Sequence, residues 1–243
     1  MAIPKIDLPT YKLELKSIGK EVTFRPFVVK EEKILLMALE SKDYETSLDA
    51  IKQIVRNCVL NELDIESLPL YEIEYLFLNL RARSIGEIVS LQYVCENVVQ
   101  TADSKKKCKA KMELDVDLLK VAVDHKPVDN IIPLSNGIGI KLNYPTISIS
   151  KVLMEKLKSE DAPIEILKQC TEYLYDENQV YKINEMMQGE FEEFINNLTT
   201  EQYRKIKKFF MSMPILRYEN QLVCGKCGKA HTIKLEGLLD FFV

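Results

Sequence analysis

The sequence predicts an α+β fold: an N-terminal β-hairpin with helices, a helical second half, and a four-stranded β element joining them. Three observations carry that expectation. Apolar and polar residues alternate over residues 10–28, the period of a half-buried strand pair. Apolar residues recur every three or four positions within 30–81 and 164–213, the period of a helix face. Four cysteines, Cys95, Cys108, Cys224 and Cys227, stand at the ends of β-like segments in two distant parts of the chain.

The elements follow in order. Tyr11, Leu13 and Leu15, then Val22, Phe24 and Phe27, form the two strands of the hairpin, with a turn at Ser17–Lys20. A helix is expected over 30–41, burying Ile34, Leu35, Met37 and Ala38. A second begins near Ser41 or Asp43 and carries the stripe Leu48, Ile51, Val55 and Cys58. A third starts after Pro69 and runs to Arg81, with Ile73, Phe77 and Leu80 inward. Residues 88–94 read as a strand entering Cys95, and Met112–Val116 as a strand leaving Cys108. Between them, Glu96–Lys107 is polar and reads as a mobile loop. Short strands are expected at 121–123, 131–132 and 139–142, with a turn at Asn136-Gly137. In the second half, Ser150–Leu157 reads as a short helix. Ile164, Leu167, Cys170 and Leu174 fall on one longer helix, and Phe191, Phe194, Ile195 and Leu198 on another. Thr199 with Gln202 has the form of a capping box for a last helix carrying Tyr203, Ile206, Phe210 and Met213 and ending at Pro214. Residues 215–223 return to β and enter Cys224.

This gives five regions: a hairpin-plus-helices region over 1–84, a first ribbon half over 85–118, a β/turn connector over 119–149, a helical region over 150–214, and a second ribbon half with the C-terminal segment over 215–243. The 243 residues suit one large domain or two small ones. A net charge of −4 argues against a general nucleic-acid coat, which needs a basic surplus to displace counterions. The N-terminus has no apolar signal-peptide core. The longest apolar run, Ile34–Leu39, is far too short to span a membrane. A cytosolic, membrane-free protein is therefore expected, and its six cysteines as core thiols or metal ligands rather than disulfides.

The sharpest local signal is Leu222-Val223-Cys224-Gly225-Lys226-Cys227-Gly228. Two thiolates flank a tight turn and can face one ion, as in a zinc knuckle. Tetrahedral zinc wants four ligands, and the chain compared with itself supplies two more. Tyr93-Val94-Cys95 matches Leu222-Val223-Cys224, and Lys107-Cys108-Lys109-Ala110 matches Lys226-Cys227-Gly228-Lys229. Both stretches read as strand–knuckle–strand units, the first with its turn expanded to the twelve residues 96–107. Paired face to face they predict a zinc-ribbon-like four-stranded element, with Cys95, Cys108, Cys224 and Cys227 around a structural Zn²⁺. Three alternatives stay open: a metal-free ribbon with free thiols, redox chemistry at Cys224/Cys227, and His231 replacing one cysteine as ligand.

No phosphate-binding glycine loop and no nucleophile–base–oxyanion constellation is legible, so no catalytic residue is assigned and an enzyme is not expected. His125 lies in a turn-like segment and reads as an exposed loop histidine. The basic features, Arg81, Arg83 and Lys105-Lys106-Lys107, allow a zinc-ribbon nucleic-acid-binding protein as a rival function, although such a run is more often a solvated loop tip.

Several segments together resemble the T-even-type bacteriophage base plate proteins, the baseplate hub assembly proteins of contractile-tailed phages. They are Leu8–Tyr11, Phe24–Leu36, Glu72–Phe77 and Leu80–Glu87 in the first half, then Phe209–Pro214, Cys224-x-x-Cys227-Gly228 and Leu235–Phe242. The resemblance implies a non-enzymatic assembly factor or structural component of the tail baseplate hub. It would contact other phage tail and hub proteins, in the host cytoplasm during assembly and in the virion baseplate if retained. The expanded Cys95–Cys108 turn departs from a simple knuckle. Arg25-Pro26-Phe27 and the terminal Phe241-Phe242-Val243 are candidate partner anchors, or else core.

Overall fold

The computed structural model describes residues 6–41, 43–100, 105–124, 129–149 and 162–241. The expected Ser150–Leu157 helix, His125, Phe242 and Val243 lie outside them.

The N-terminal hairpin pairs β1 (Tyr11–Leu15) with β2 (Lys20–Phe24) in the register Tyr11↔Phe24 to Leu15↔Lys20. Leu15, Val22 and Phe24 point inward and are buried, as their alternation predicts. Helix α1 (Val29–Ser41) buries Glu31, Leu35 and Ala38. Met37, expected inside, is 70% exposed, because it lies off that three-residue face. Helix α2 (Tyr44–Cys58) starts where Asp43 accepts the Thr46 amide, and its predicted stripe from Leu48 to Cys58 is buried. Helix α3 (Leu70–Ser84) buries residues on almost every side, from Tyr71 through Leu80 to Ala82. A helix apolar all round belongs in the middle of a fold, and α3 is the centre of the largest hydrophobic cluster among the described residues.

The segment between β2 and α1 is tied to this centre. Arg25 donates to Glu31 at 3.2 Å and to the carbonyls of Pro26 and Asn57, while the Phe27 amide donates to Ser84 Oγ. Burial would raise the Glu31 carboxyl, but the Val28 amide, Arg25 and Lys30 outweigh it and hold it below the usual carboxylate range. Phe27 and Phe241 are both core. The partner-anchor reading of these residues therefore fails.

The chain then forms β3 (Ile88–Val94) and β6 (Lys111–Asp117), an antiparallel ribbon in register Ile88↔Asp117 to Val94↔Lys111. The polar stretch between them is not all loop: β4 (Val98–Gln100) pairs with β5 (Lys105–Lys107). Near the C-terminus β12 (Leu216–Val223) pairs with β13 (Ala230–Glu236) along its length, and its first residues pair with β7 (Ala122–Val123). The two ribbons belong to separate sheets, so the expected four-stranded element is not one hydrogen-bonded sheet. They meet instead through side chains, Leu91, Leu114 and Val116 sharing the larger core with Leu216 and Leu235.

The second cluster lies under the sheet β11–β10–β9–β8, formed by β8 (Ile131–Ser135), β9 (Ile138–Leu142), β10 (Thr171–Tyr175) and β11 (Val180–Lys182). The β8–β9 turn is Asn136-Gly137 with φ of 44° and 75°, a conformation that asparagine and glycine tolerate. The second half is thus not simply helical. Helix α4 (Ala162–Cys170) stops at Cys170, and Leu174 is buried from strand β10 rather than from that helix. Helices α5 (Glu190–Asn196) and α6 (Thr200–Met211) cover the sheet with Phe191, Ile195, Ile206 and Phe209. The Thr199–Gln202 capping box forms, and α6 ends at Met211, before Pro214. Lys205 of α6 reaches the Pro133 and Leu134 carbonyls of β8.

Tyr144 seams the clusters. Its ring stacks on Phe209 at 5.2 Å and meets Tyr71 edge-on at 5.7 Å. Glu74 of α3 lines the adjoining cleft with Tyr144, Met213 and Ile215. Burial pushes its carboxyl up to about 7, despite a hydrogen bond from the Leu238 amide. The folded protein therefore holds a proton that the unfolded chain has lost, and stability falls as pH rises through that window. Glu74→Gln removes this penalty. In denaturant titrations it should be more stable than the parent by about 2 kcal/mol at pH 8, with the gain vanishing near pH 4. A gain independent of pH would contradict this.

Candidate metal centre

The strands β3, β6, β12 and β13 deliver all four predicted cysteines to one point. Their sulfurs lie within 4.8 Å of one another. Cys95 Sγ is 3.7 Å from Cys227 Sγ, and Cys108 Sγ is 3.8 Å from Cys224 Sγ. A disulfide would need a separation of about 2.05 Å, and all four thiols are free. A tetrahedron with metal–sulfur bonds of about 2.3 Å has edges of roughly 3.8 Å. Two of the six sulfur–sulfur separations match those edges, and the cluster is compatible with a four-sulfur metal set.

The two knuckles share one backbone pattern. The Cys224 amide donates to the Lys229 carbonyl and the Gly228 amide to the Cys224 carbonyl. In the first unit the Cys95 amide donates to the Ala110 carbonyl and the Lys109 amide to the Cys95 carbonyl. Gly228 and Lys109 both have positive φ, 71° and 54°. The residue-by-residue match seen in the sequence is therefore a match of geometry. The expanded turn also resolves. The Cys108 amide donates to the Asn97 carbonyl, and the Val98↔Lys107 pair opens the small hairpin immediately beyond. The first unit is thus Cys95-Glu96-Asn97-Cys108, a C-x₂-C knuckle with the ten residues 98–107 inserted before its second cysteine.

Backbone amides of Asn97, Ala110 and Lys229 bond to the sulfurs of Cys95, Cys108 and Cys227. The Lys229 amide and then the Asn97 side chain, at 3.5 Å, draw the Cys227 thiol down to about 6. Burial and the neighbouring thiols push Cys95 up to about 12. At Cys108 the Ala110 amide and Cys95 pull downward, but burial with Cys227 and Cys224 wins and the value is raised. Cys227 sheds its proton readily, while Cys95 and Cys108 resist a second negative charge. A divalent cation at the centre removes that conflict.

His231, the alternative ligand, lies beside the set: its Nε2 is 3.2 Å from Cys95 Sγ, while the four mutually close donors are the cysteines. Asn97 was missed by sequence reasoning, since a lone asparagine inside a turn carries no signal until Cys227 is placed beside it. No helix follows Cys224, the feature that lowers thiol pKa in thioredoxin-type sites. Cys58 and Cys170 are fully buried, and burial pushes their thiols up to about 11 and about 12, as core residues.

The family model for the T4 bacteriophage base plate protein matches residues 8–243. The chain belongs to that family. This base plate protein is also similar to the baseplate hub assembly protein gp26 of Enterobacteria phage T4. The two are 24% identical over 232 residues, which is 96% of this chain and 97% of the relative. No solved structure matches it. Among the described residues, no helix is long and apolar enough to cross a membrane.

The matched positive φ values lead to a paired expectation. Gly228→Ala should lower stability by about 1 kcal/mol in thermal melts, while Lys109→Gly at the equivalent position should be neutral or slightly stabilising. Equal losses from both would show that the two knuckles are not geometrically equivalent.

Proposed function

We propose that this base plate protein is a non-enzymatic assembly factor or structural component of the tail baseplate hub, acting through contacts with other tail proteins. Its zinc-ribbon-like end holds a structural Zn²⁺ through Cys95, Cys108, Cys224 and Cys227. The family match along 8–243 and the similarity to a hub assembly protein support the assembly role. The observation that carries the structural reading is the closed donor set. All four tetrahedral positions come from protein sulfurs, three of them buried, so none is open to water or substrate. Catalytic zinc keeps such a position, and this centre does not. The metal's work is then cohesion, joining the β3–β6 ribbon to the β12–β13 ribbon. The site of action that follows is the host cytoplasm during assembly and the tail baseplate if the chain is retained.

The test is co-purification. The tagged chain, isolated from phage-infected cells at moderate salt, should carry other baseplate hub proteins in fixed ratios by mass spectrometry. Recovery of the chain with no tail protein would contradict the proposal.

A further inference from the structure

The inserted hairpin is the part of the cysteine unit that the metal site does not use. The knuckle ring closes without it: Asn97 and Cys108 are already hydrogen-bonded to each other, and β4 and β5 extend from that closed base. Val98, Gln100 and Lys105–Lys107 are exposed, and Val99 is half-buried. β5 is three consecutive lysines.

Among the described residues the surrounding charge is predominantly basic. Lys105, Lys106, Lys107, Lys109, Lys226 and Lys229 stand in residues 95–100, 105–109 and 224–229, against the single carboxylate of Glu96, which lies 3.6 Å from Lys107. Lys226 Nζ reaches the Cys108 carbonyl at 3.4 Å, which places the lysines of the second knuckle beside those of the first. This is a basic end on a chain of net charge −4. A dianionic metal–tetrathiolate centre accounts for Lys109, Lys226 and Lys229 at the knuckles. It does not account for Lys105–Lys107, which the insertion carries beyond them.

We propose that the β4–β5 hairpin is a basic docking arm for an acidic protein surface, presented on the rigid cysteine-stapled end. The partner's class rests on the base plate assembly reading given above. The arm's own chemistry agrees with a protein rather than a nucleic acid. Neither β4 nor β5 carries an arginine or an aromatic residue, the side chains that fork to phosphates and stack on bases. Lysine point charges beside the exposed Val98 fit a carboxylate-rich protein face.

The test uses the full chain, a variant lacking residues 98–107, and the triple variant K105E/K106E/K107E. The deletion leaves Cys95-Glu96-Asn97-Cys108, so both variants should hold as much metal as the parent and melt alike. Fluorescence anisotropy with an oligoglutamate peptide and with a DNA duplex of matched charge is read alongside infectious titre, on complementing a phage that lacks its own copy. The expected result is oligoglutamate binding weakened about tenfold or more in both variants, with titre not restored. Full restoration of titre by both variants would overturn the proposal. So would DNA binding tighter than oligoglutamate through the same lysines. If the deletion fails to fold, the charge-reversal variant decides. A parent chain that restores no titre counts against the assembly reading, and the oligoglutamate comparison then decides the arm's chemistry by itself.

Discussion

Four sulfurs from chain segments 132 and 116 residues apart meet at the ends of two ribbons, and that meeting ties together two parts of the larger core. The β3–β6 ribbon is two-stranded and the β12–β13 ribbon gains only the two-residue β7, and sheets so narrow are marginal alone in water. Each leans its inner face on α3 and the surrounding core, and each is closed at its far end by the cysteine cluster. A cross-link spanning so long a loop removes unfolded-chain entropy on the order of 5 kcal/mol in a chain-entropy account. That is comparable to the whole net stability of many domains. A metal bound by the four sulfurs would therefore hold the two ends of the larger core in register.

The groups around the cluster favour metal binding over thiol chemistry. Amides aimed at sulfur favour thiolates, burial opposes more than one unneutralised charge, and no ligand position is open. The same closure gives the inserted hairpin a rigid base. A base plate protein that works by contact needs surface features held at fixed positions, and a knuckle tied by a metal would be a short, stiff mount for one. The smaller core, joined to the larger through Tyr144, is a second body of sheet and helices fixed by aromatic stacking rather than by metal.

Much of this was legible in the sequence because its causes are local. The hairpin alternation, the α2 stripe, the Thr199 capping box and the Asn136-Gly137 turn each depend on residues within a few positions. The knuckle repeat was legible because the two copies keep the same spacing around their cysteines. What the sequence hid depends on distant partners. Arg25 and Phe27 look like surface anchors until Glu31, Asn57 and Ser84 are placed around them. Leu174 keeps helical spacing from Cys170, yet Tyr173 and Tyr175 pair with Lys141 and Gly139, and the strand wins. Lys105–Lys107 has no alternation to mark a strand; its pairing with Val98–Gln100 is imposed by the closed knuckle below. The separation of the ribbons into two sheets was invisible because strand pairing across sheets is a tertiary choice.

The central claim is that Cys95, Cys108, Cys224 and Cys227 hold one metal ion. Zinc K-edge X-ray absorption on protein purified without added metal tests it directly. The account predicts one zinc per chain with four sulfur neighbours at about 2.3 Å. Zinc with nitrogen or oxygen in its first shell, or a metal-free protein in which these cysteines are disulfide-bonded, would contradict it.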